Sequence, residues 1–161
     1  MIVLVRLDER LIHGQVVIGW RNAARPSWYH VIDDEIAESD WEAELVLAGV
    51  PDGTQGEVCT ISQAVGKWSE WVADTQRHMV LVQSPATLCA LHDAGVGLDD
   101  VNAGGMHGRV DRTEITPYIH LDEDELNDCR RLCEAGIVLE ARDLPTTAGV
   151  DLCPLLATKG R

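Results

Sequence analysis

The 161-residue chain carries 13 Lys and Arg against 27 Asp and Glu, for a formal charge of −14 at pH 7 and no basic run. A phosphate backbone is bound by clustered cations, so this balance excludes nucleic acid and fits an acidic solvated surface or a partner with a basic patch. Hydrophobic residues at 45% and charged residues at 25% are ordinary globular values, and one domain of this length, 1–161, needs no staples to hold its core.

Residues 1–5 form a short apolar run that reads as a first strand and leads straight into Arg6, unlike a secretory leader. Val16, Val17, Trp20, Ala23 and Ala24 then recur at helical spacing. Residues 28–32 read as a second strand closed by Asp33-Asp34, and 35–48 as a helix that can restart at Ser39-Asp40 and stops at Gly49. Residues 57–61 predict a third strand, with Ser62 capping a helix that places Ala64, Val65, Trp68 and Val72 on one face. Residues 79–82 are a continuous apolar run, the mark of a strand covered on both faces. Ser84-Pro85 reads as N-cap and first helical residue, with Gly95 as the stop.

A strand at 100–103 leads into Gly104-Gly105-Met106-His107-Gly108, read as a flexible loop, and 118–121 predicts another strand. Asp122 with Glu125 makes an acidic capping box for a helix ending at Gly136, and the last strand begins at Ile137. Residues 149–161 read as a loosely held tail. Strands separated by helical segments predict an α/β fold: an open, mostly parallel sheet of about seven strands with helices on both faces. No stretch reaches the roughly 20 apolar residues of a membrane helix.

Five cysteines without an export signal point to free thiols in a reducing compartment. Cys129 and Cys133 lie one turn apart beside Leu126 and Leu132, on a buried face and without two further ligands, so no metal site is expected there. His30, His78 and His120 sit in or beside strands and read as structural.

In open α/β sheets ligands sit beyond the carboxyl ends of strands, where the strand order reverses. The segment Asp8-Glu9-Arg10-Leu11-Ile12-His13-Gly14-Gln15-Val16 occupies that position after the first strand. Gly14 lets backbone come close to a ligand, and a helix starting near Gln15 presents unpaired amides that favour an anion. Arg10 and Arg6 add guanidinium forks that match phosphate oxygens. In that field the His13 imidazole is a competent phosphoryl acceptor at neutral pH, with Asp8 placed to orient the ring. A loop histidine of this kind is more often a capping or surface residue. The chain holds no dinucleotide fingerprint, P-loop or serine-hydrolase elbow. His107 lies on a loop able to line a site, and Ser84 is by default an N-cap.

The stretch from Arg6 through Val16, with its core Arg10-Leu11-Ile12-His13-Gly14-Gln15-Val16, resembles the IIB component of the mannose/fructose/sorbose family of the bacterial phosphotransferase system. The likeness continues through Val31-Ile32-Asp33-Asp34-Glu35, the 80–82 strand with Ser84-Pro85, Asn102-Ala103-Gly104-Gly105-Met106-His107, and Glu134-Ala135-Gly136-Ile137 with Pro145. The resemblance implies a cytoplasmic phosphotransferase that takes a phosphoryl group from a IIA histidine onto Nδ1 of His13. It would pass that group to a sugar entering through membrane IIC and IID partners, with no metal or organic cofactor. By position, Arg10 would stabilise the phosphate, Asp8 would support the loop, and Gln15 would fill the polar place at the helix start. Ser84 and His107 would converge near the site. Glu9 stands where relatives often have Asp, Ala103 where they have Val, and Gln83 near where a basic residue is usual. A regulatory phosphocarrier that controls a partner protein, and a small-anion binding module, need the same loop and stay open at this point.

Overall fold

The computed structural model describes residues 1–159. In chain order the elements are β1 (Ile2–Asp8), α1 (Gly14–Ala24), β2 (Trp28–Ile32), α2 (Asp34–Ala37), α3 (Asp40–Leu47), β3 (Gln55–Cys59), α4 (Ile61–Ala73), β4 (His78–Val82) and α5 (Pro85–Asp93). They continue with β5 (Asp100–Gly105), β6 (Thr113–Thr116), β7 (Ile119–Leu121), α6 (Glu123–Glu134), β8 (Val138–Ala141), β9 (Val150–Asp151) and α7 (Leu152–Thr158). Seven strands form one sheet in the order β3-β2-β4-β1-β5-β8-β9. All pairs in it are parallel except β8 with β9.

The helices divide between the two faces, because β4 alternates across the sheet. Met79 and Leu81 pack with Val16, Val17 and Trp20 of α1 and with Ile36, whereas Val80 and Val82 pack with α4, α5, α6 and α7. Both sides of β4 are therefore dry, which is why its sequence is an unbroken apolar run. β1 sits between β4 and β5, so the chain leaves it toward β2 on one side while β5 lies on the other. The crevice at the carboxyl ends of β1 and β5 is thus the reversal point where α/β sheets bind ligands.

The 35–48 helix restarts at Ser39-Asp40 as the sequence allowed, giving two helices, α2 and α3, with Ser39 as the second N-cap. Other expectations are corrected. The strand read at 57–61 ends at Cys59, and α4 is capped by Thr60 instead of Ser62. Thr60 Oγ1 accepts from the Gln63 amide, and Gln63 Oε1 in turn accepts from the Thr60 N–H. On α4 Ala64 and Trp68 are buried as expected, but Trp71 joins them in place of Val72, which is 55% exposed. Residues 119–121 pair antiparallel with β6 as a separate hairpin, joined to the sheet side by a bridge between Met106 and Ile119.

The tail is held. Leu152 and Leu156 are buried, Arg130 Nε donates to the Leu156 carbonyl at 2.9 Å, and Cys153 forms a disulfide with Cys133. Two of the five thiols are therefore paired, and Cys59, Cys89 and Cys129 are free and buried. Gly160 and Arg161, the end of the expected tail, lie outside the described residues.

Candidate functional site

His13 is the N-cap of α1, in extended backbone with φ −119° and ψ 148°. Its approach is fixed by a tight turn: the Leu11 amide donates to the Asp8 carbonyl at 3.0 Å, Leu11 takes a left-handed φ of 51°, and the His13 amide donates to the Leu11 carbonyl at 3.1 Å. Leu11 and Ile12 are buried in the cluster that also holds Val16 and Val17. Ile12 and Val17 thereby act as a hydrophobic staple across the helix start. Two apolar anchors hold the backbone down while the polar residue between loop and helix faces out: His13, Gly14 and Gln15 are all exposed.

The Gln15 amide donates to His13 Nδ1 at 3.4 Å. That nitrogen therefore bears a lone pair, and the ring proton belongs on Nε2. The first amides of α1 lack helical acceptors and the Gln15 amide faces this nitrogen, so a negative charge attached there meets a donor and the positive end of the helix dipole.

Behind the turn lies a buried charge cluster. The Asp8 side chain is fully buried and accepts from both neighbouring guanidinium groups. Its Oδ2 takes Arg6 Nη2 and Arg10 Nη2, each at 2.8 Å, and its Oδ1 takes Arg10 Nε and the Arg10 amide at 2.9 and 3.0 Å. Two cations against one anion leave a net positive charge. The hydrogen bond to Asp8 holds Arg10 above its ordinary pKa. Arg10 keeps one edge of its guanidinium, Nη1, without a protein partner among the described residues, and its side chain is 24% exposed. Arg10 and Gln15 line one cavity of about 400 Å³, and Arg10 and His107 line another of about 280 Å³.

Arg6 departs from its expected role. It is fully buried and its donors are consumed by Asp8, Asn102 and the carbonyls of Arg142 and Asp143, so it presents nothing to a phosphate. It stacks 5.2 Å from the Trp20 ring and steadies Asp8, which in turn steadies Arg10. Asp8 does not orient the imidazole; its oxygens are engaged by the two arginines, and the ring's bond is to Gln15.

Gly104 and Gly105 belong to β5 and are not a flexible loop. A Cβ on Gly104 would overlap the Arg6 guanidinium, and one on Gly105 would lie 3.0 Å from Arg10 Nη2. The glycine pair makes room for two arginines packed flat on the strand.

His107 follows β5, and its amide and Nδ1 both meet Glu9 Oε2 at 2.9 Å. Ser84 caps α5, its Oγ accepting from the Ala86 amide at 3.2 Å. β4 pairs with β1 through Leu7 and Val82, so Ser84 stands at the same end of the sheet as the His13 turn, but no hydrogen bond joins the two residues. Glu9, Asn102, Arg112 and Asp143 escaped sequence reasoning as site residues. Glu9, inside the motif, and Asn102, inside the stretch that leads to His107, had a positional signal. The others come from distant strand ends and loops. Among the described residues no group of three or more His, Cys, Asp or Glu is arranged to hold a metal ion, and no helix is long and apolar enough to cross a membrane.

Comparison with known proteins agrees with this architecture. The family model for the sorbose-subfamily IIB component of the phosphotransferase system matches residues 2–161. The chain is 29% identical over 155 residues to the fructose-specific EIIB component of Bacillus subtilis, covering 96% of this chain and 95% of that protein. It is 29% identical over 157 residues to the mannose-specific EIIAB component of Escherichia coli K12, covering 98% of this chain and 49% of that longer protein. A solved structure described as a phosphoenolpyruvate-dependent phosphotransferase system protein superposes with a TM-score of 0.89 at 28% identity, covering 98% of both chains.

Proposed function

This chain belongs to the sorbose-subfamily IIB components of the phosphotransferase system, and from that premise we propose that His13 is its phosphoryl carrier. It takes the group from the histidine of a IIA partner and passes it to a sugar entering through membrane IIC and IID partners. The work is done in the cytoplasm. The observation that carries this reading is the His13 ring itself: exposed, at a helix start, with Nδ1 facing the Gln15 amide. Nδ1 is the atom that the family likeness makes the acceptor.

The chemistry asks little beyond position and charge. The Nδ1 lone pair attacks the phosphorus of the incoming phosphohistidine, and the donor imidazole leaves with its electron pair. The new phosphoryl group sits against the first amides of α1, with the free edge of Arg10 supplying a cation. Delivery to a sugar hydroxyl reverses the geometry. The IIA partner has support in the Escherichia coli mannose-specific relative, whose name joins A and B components in one chain.

The test is loading. The protein is incubated with labelled phosphoenolpyruvate, enzyme I, the histidine carrier protein and the IIA partner, then with IIC- and IID-bearing membranes and fructose, mannose or sorbose. Label on the protein that is stable to alkali, lost in acid, absent from His13→Ala and chased by a sugar supports the reading. Label that no sugar chases would favour the regulatory carrier, and no label would end the proposal.

A further inference from the structure

Glu9 and His107 make a contact for which the phosphoryl site alone has no use. Glu9 Oε2 accepts from the His107 amide and meets His107 Nδ1, both at 2.9 Å, while Oε1 accepts from Arg112 Nη2. The Arg112 side chain is only 2% exposed. It is tied as well to Glu125 through Nε at 3.0 Å and to the His107 carbonyl through Nη1 at 2.8 Å. Glu125 is itself fixed as the capping-box residue of α6. Three segments, the β1 turn, the loop after β5 and the start of α6, thus converge to hold one carboxylate against one imidazole.

Burial alone would raise the Glu9 pKa, but the bonds from Arg112 and His107 outweigh it and keep the carboxyl below its usual value. An ionised carboxylate only accepts, so His107 Nδ1 is the donor, and in the neutral ring Nε2 carries the lone pair. That free nitrogen belongs to a side chain that is 65% exposed. It shares its cavity with Arg10, and Tyr118, His120 and Asp143 form the other titratable walls.

We propose that Glu9 and His107 are a carboxylate–imidazole dyad in which His107 Nε2 takes the proton of the acceptor hydroxyl as the phosphoryl group leaves His13. The step rests on the carrier reading above, and it balances. The hydroxyl oxygen forms the new O–P bond, the N–P bond at His13 breaks with its electron pair returning to the ring, and the hydroxyl proton ends on His107 Nε2. Glu9 faces the imidazolium that results and stabilises it. Carboxylate-fixed imidazoles serve as general bases for this reason, with typical contributions of about 10²–10⁴ in rate. His107 is the catalytic residue here, and Glu9 is a positioning residue.

The experiment separates loading from delivery. The full-length protein is loaded on His13 through the IIA partner, then mixed with IIC- and IID-bearing membranes and offered fructose, mannose or sorbose. His107→Gln is expected to slow delivery about 100-fold, far more than it slows loading, and to change the pH profile of delivery, because the general base is gone. Glu9→Gln is expected to slow delivery about tenfold, with Glu9→Asp retaining more activity than Glu9→Gln. Equal slowing of loading and delivery, or an unchanged pH profile in His107→Gln, would overturn the dyad. A sugar-independent arm reads the His107 ring by nitrogen-15 NMR. A proton on Nδ1 that depends on Glu9 supports the dyad, and an unprotonated Nδ1 in the wild-type protein overturns it. Failure of the wild-type protein to load would instead strike the carrier reading, and the NMR arm would still decide the dyad.

Discussion

Asp8 grips Arg10 by two parallel hydrogen bonds, Nε to Oδ1 at 2.9 Å and Nη2 to Oδ2 at 2.8 Å, and the same Oδ2 takes Arg6 Nη2. A planar fork held this way has a fixed direction, which leaves its remaining edge aimed instead of wandering. The carboxylate also neutralises a guanidinium with no exposure at all. Asp8→Ala strands that buried charge, an event that costs about 3–5 kcal/mol. Urea unfolding is expected to show a loss of that size together with slower loading of His13. A loss below about 1 kcal/mol would place the pair in the class of exposed salt bridges.

The two glycines of β5 act by absence of a side chain. Gly104→Ala forces a methyl group into the Arg6 guanidinium. Overpacking of this kind costs about 1–3 kcal/mol, so a clear fall in the urea midpoint is expected. Gly105→Ala meets a looser neighbourhood, 3.0 Å from Arg10 Nη2. It is expected to spare the fold and slow His13 loading, because the group that moves is Arg10. Equal unfolding midpoints for Gly104→Ala and wild type would contradict the packing described.

Far from the site, at the opposite end of β2 and β4, His30 is 1% exposed and stacks on Trp71 with ring centroids 4.0 Å apart. His30 Nδ1 meets Glu57 at 2.9 Å, His30 Nε2 meets His78 Nδ1 at 2.8 Å, and His78 Nε2 meets Asp74 at 2.9 Å. Burial pushes the His30 pKa from 6.5 down to about 4, against the pull of Glu57. Between those values the unfolded chain binds a proton that the folded chain refuses, so stability rises with pH through this window. The contribution is fully present above pH ~6.5 and lost as pH falls toward ~4. Thermal unfolding at pH 7.5 and pH 5 is expected to show an acid loss in the wild-type protein that is smaller in His30→Gln. An identical acid loss in both would remove His30 as its source.

The Cys133–Cys153 bridge spans 20 residues and ties α7 to the end of α6. A loop of that length corresponds to about 3 kcal/mol of unfolded-state entropy. Dithiothreitol, or Cys153→Ser, is expected to lower stability by about that amount while His13 loading continues at the wild-type rate. The buried Leu152 and Leu156 still hold the helix. No change in stability on reduction would mean the thiols are unpaired in solution.

What could be read from the chain was what depends on local pattern. The alternation of strand and helix, the 79–82 run and the Ser84-Pro85 start each follow from periodicity or capping, and each reappears within a residue or two. The His13 turn was legible because one short segment supplies the imidazole, the glycine and one cation. What was missed comes from distance. Arg6 looks like a phosphate ligand until Asn102, Arg142 and Asp143 close around it from other strand ends. Gly104-Gly105 looks like a flexible loop until two arginines are laid across it. The tail looks loose because its anchors, Arg130 and Cys133, lie on α6.

The central claim is the bond at His13 Nδ1, and phosphorus and nitrogen NMR of the protein after loading through its IIA partner reads it directly. One phosphoryl group coupled to Nδ1 of His13, and none in His13→Ala, is the predicted result. A phosphoryl group on another side chain, or one that persists in His13→Ala, would contradict it.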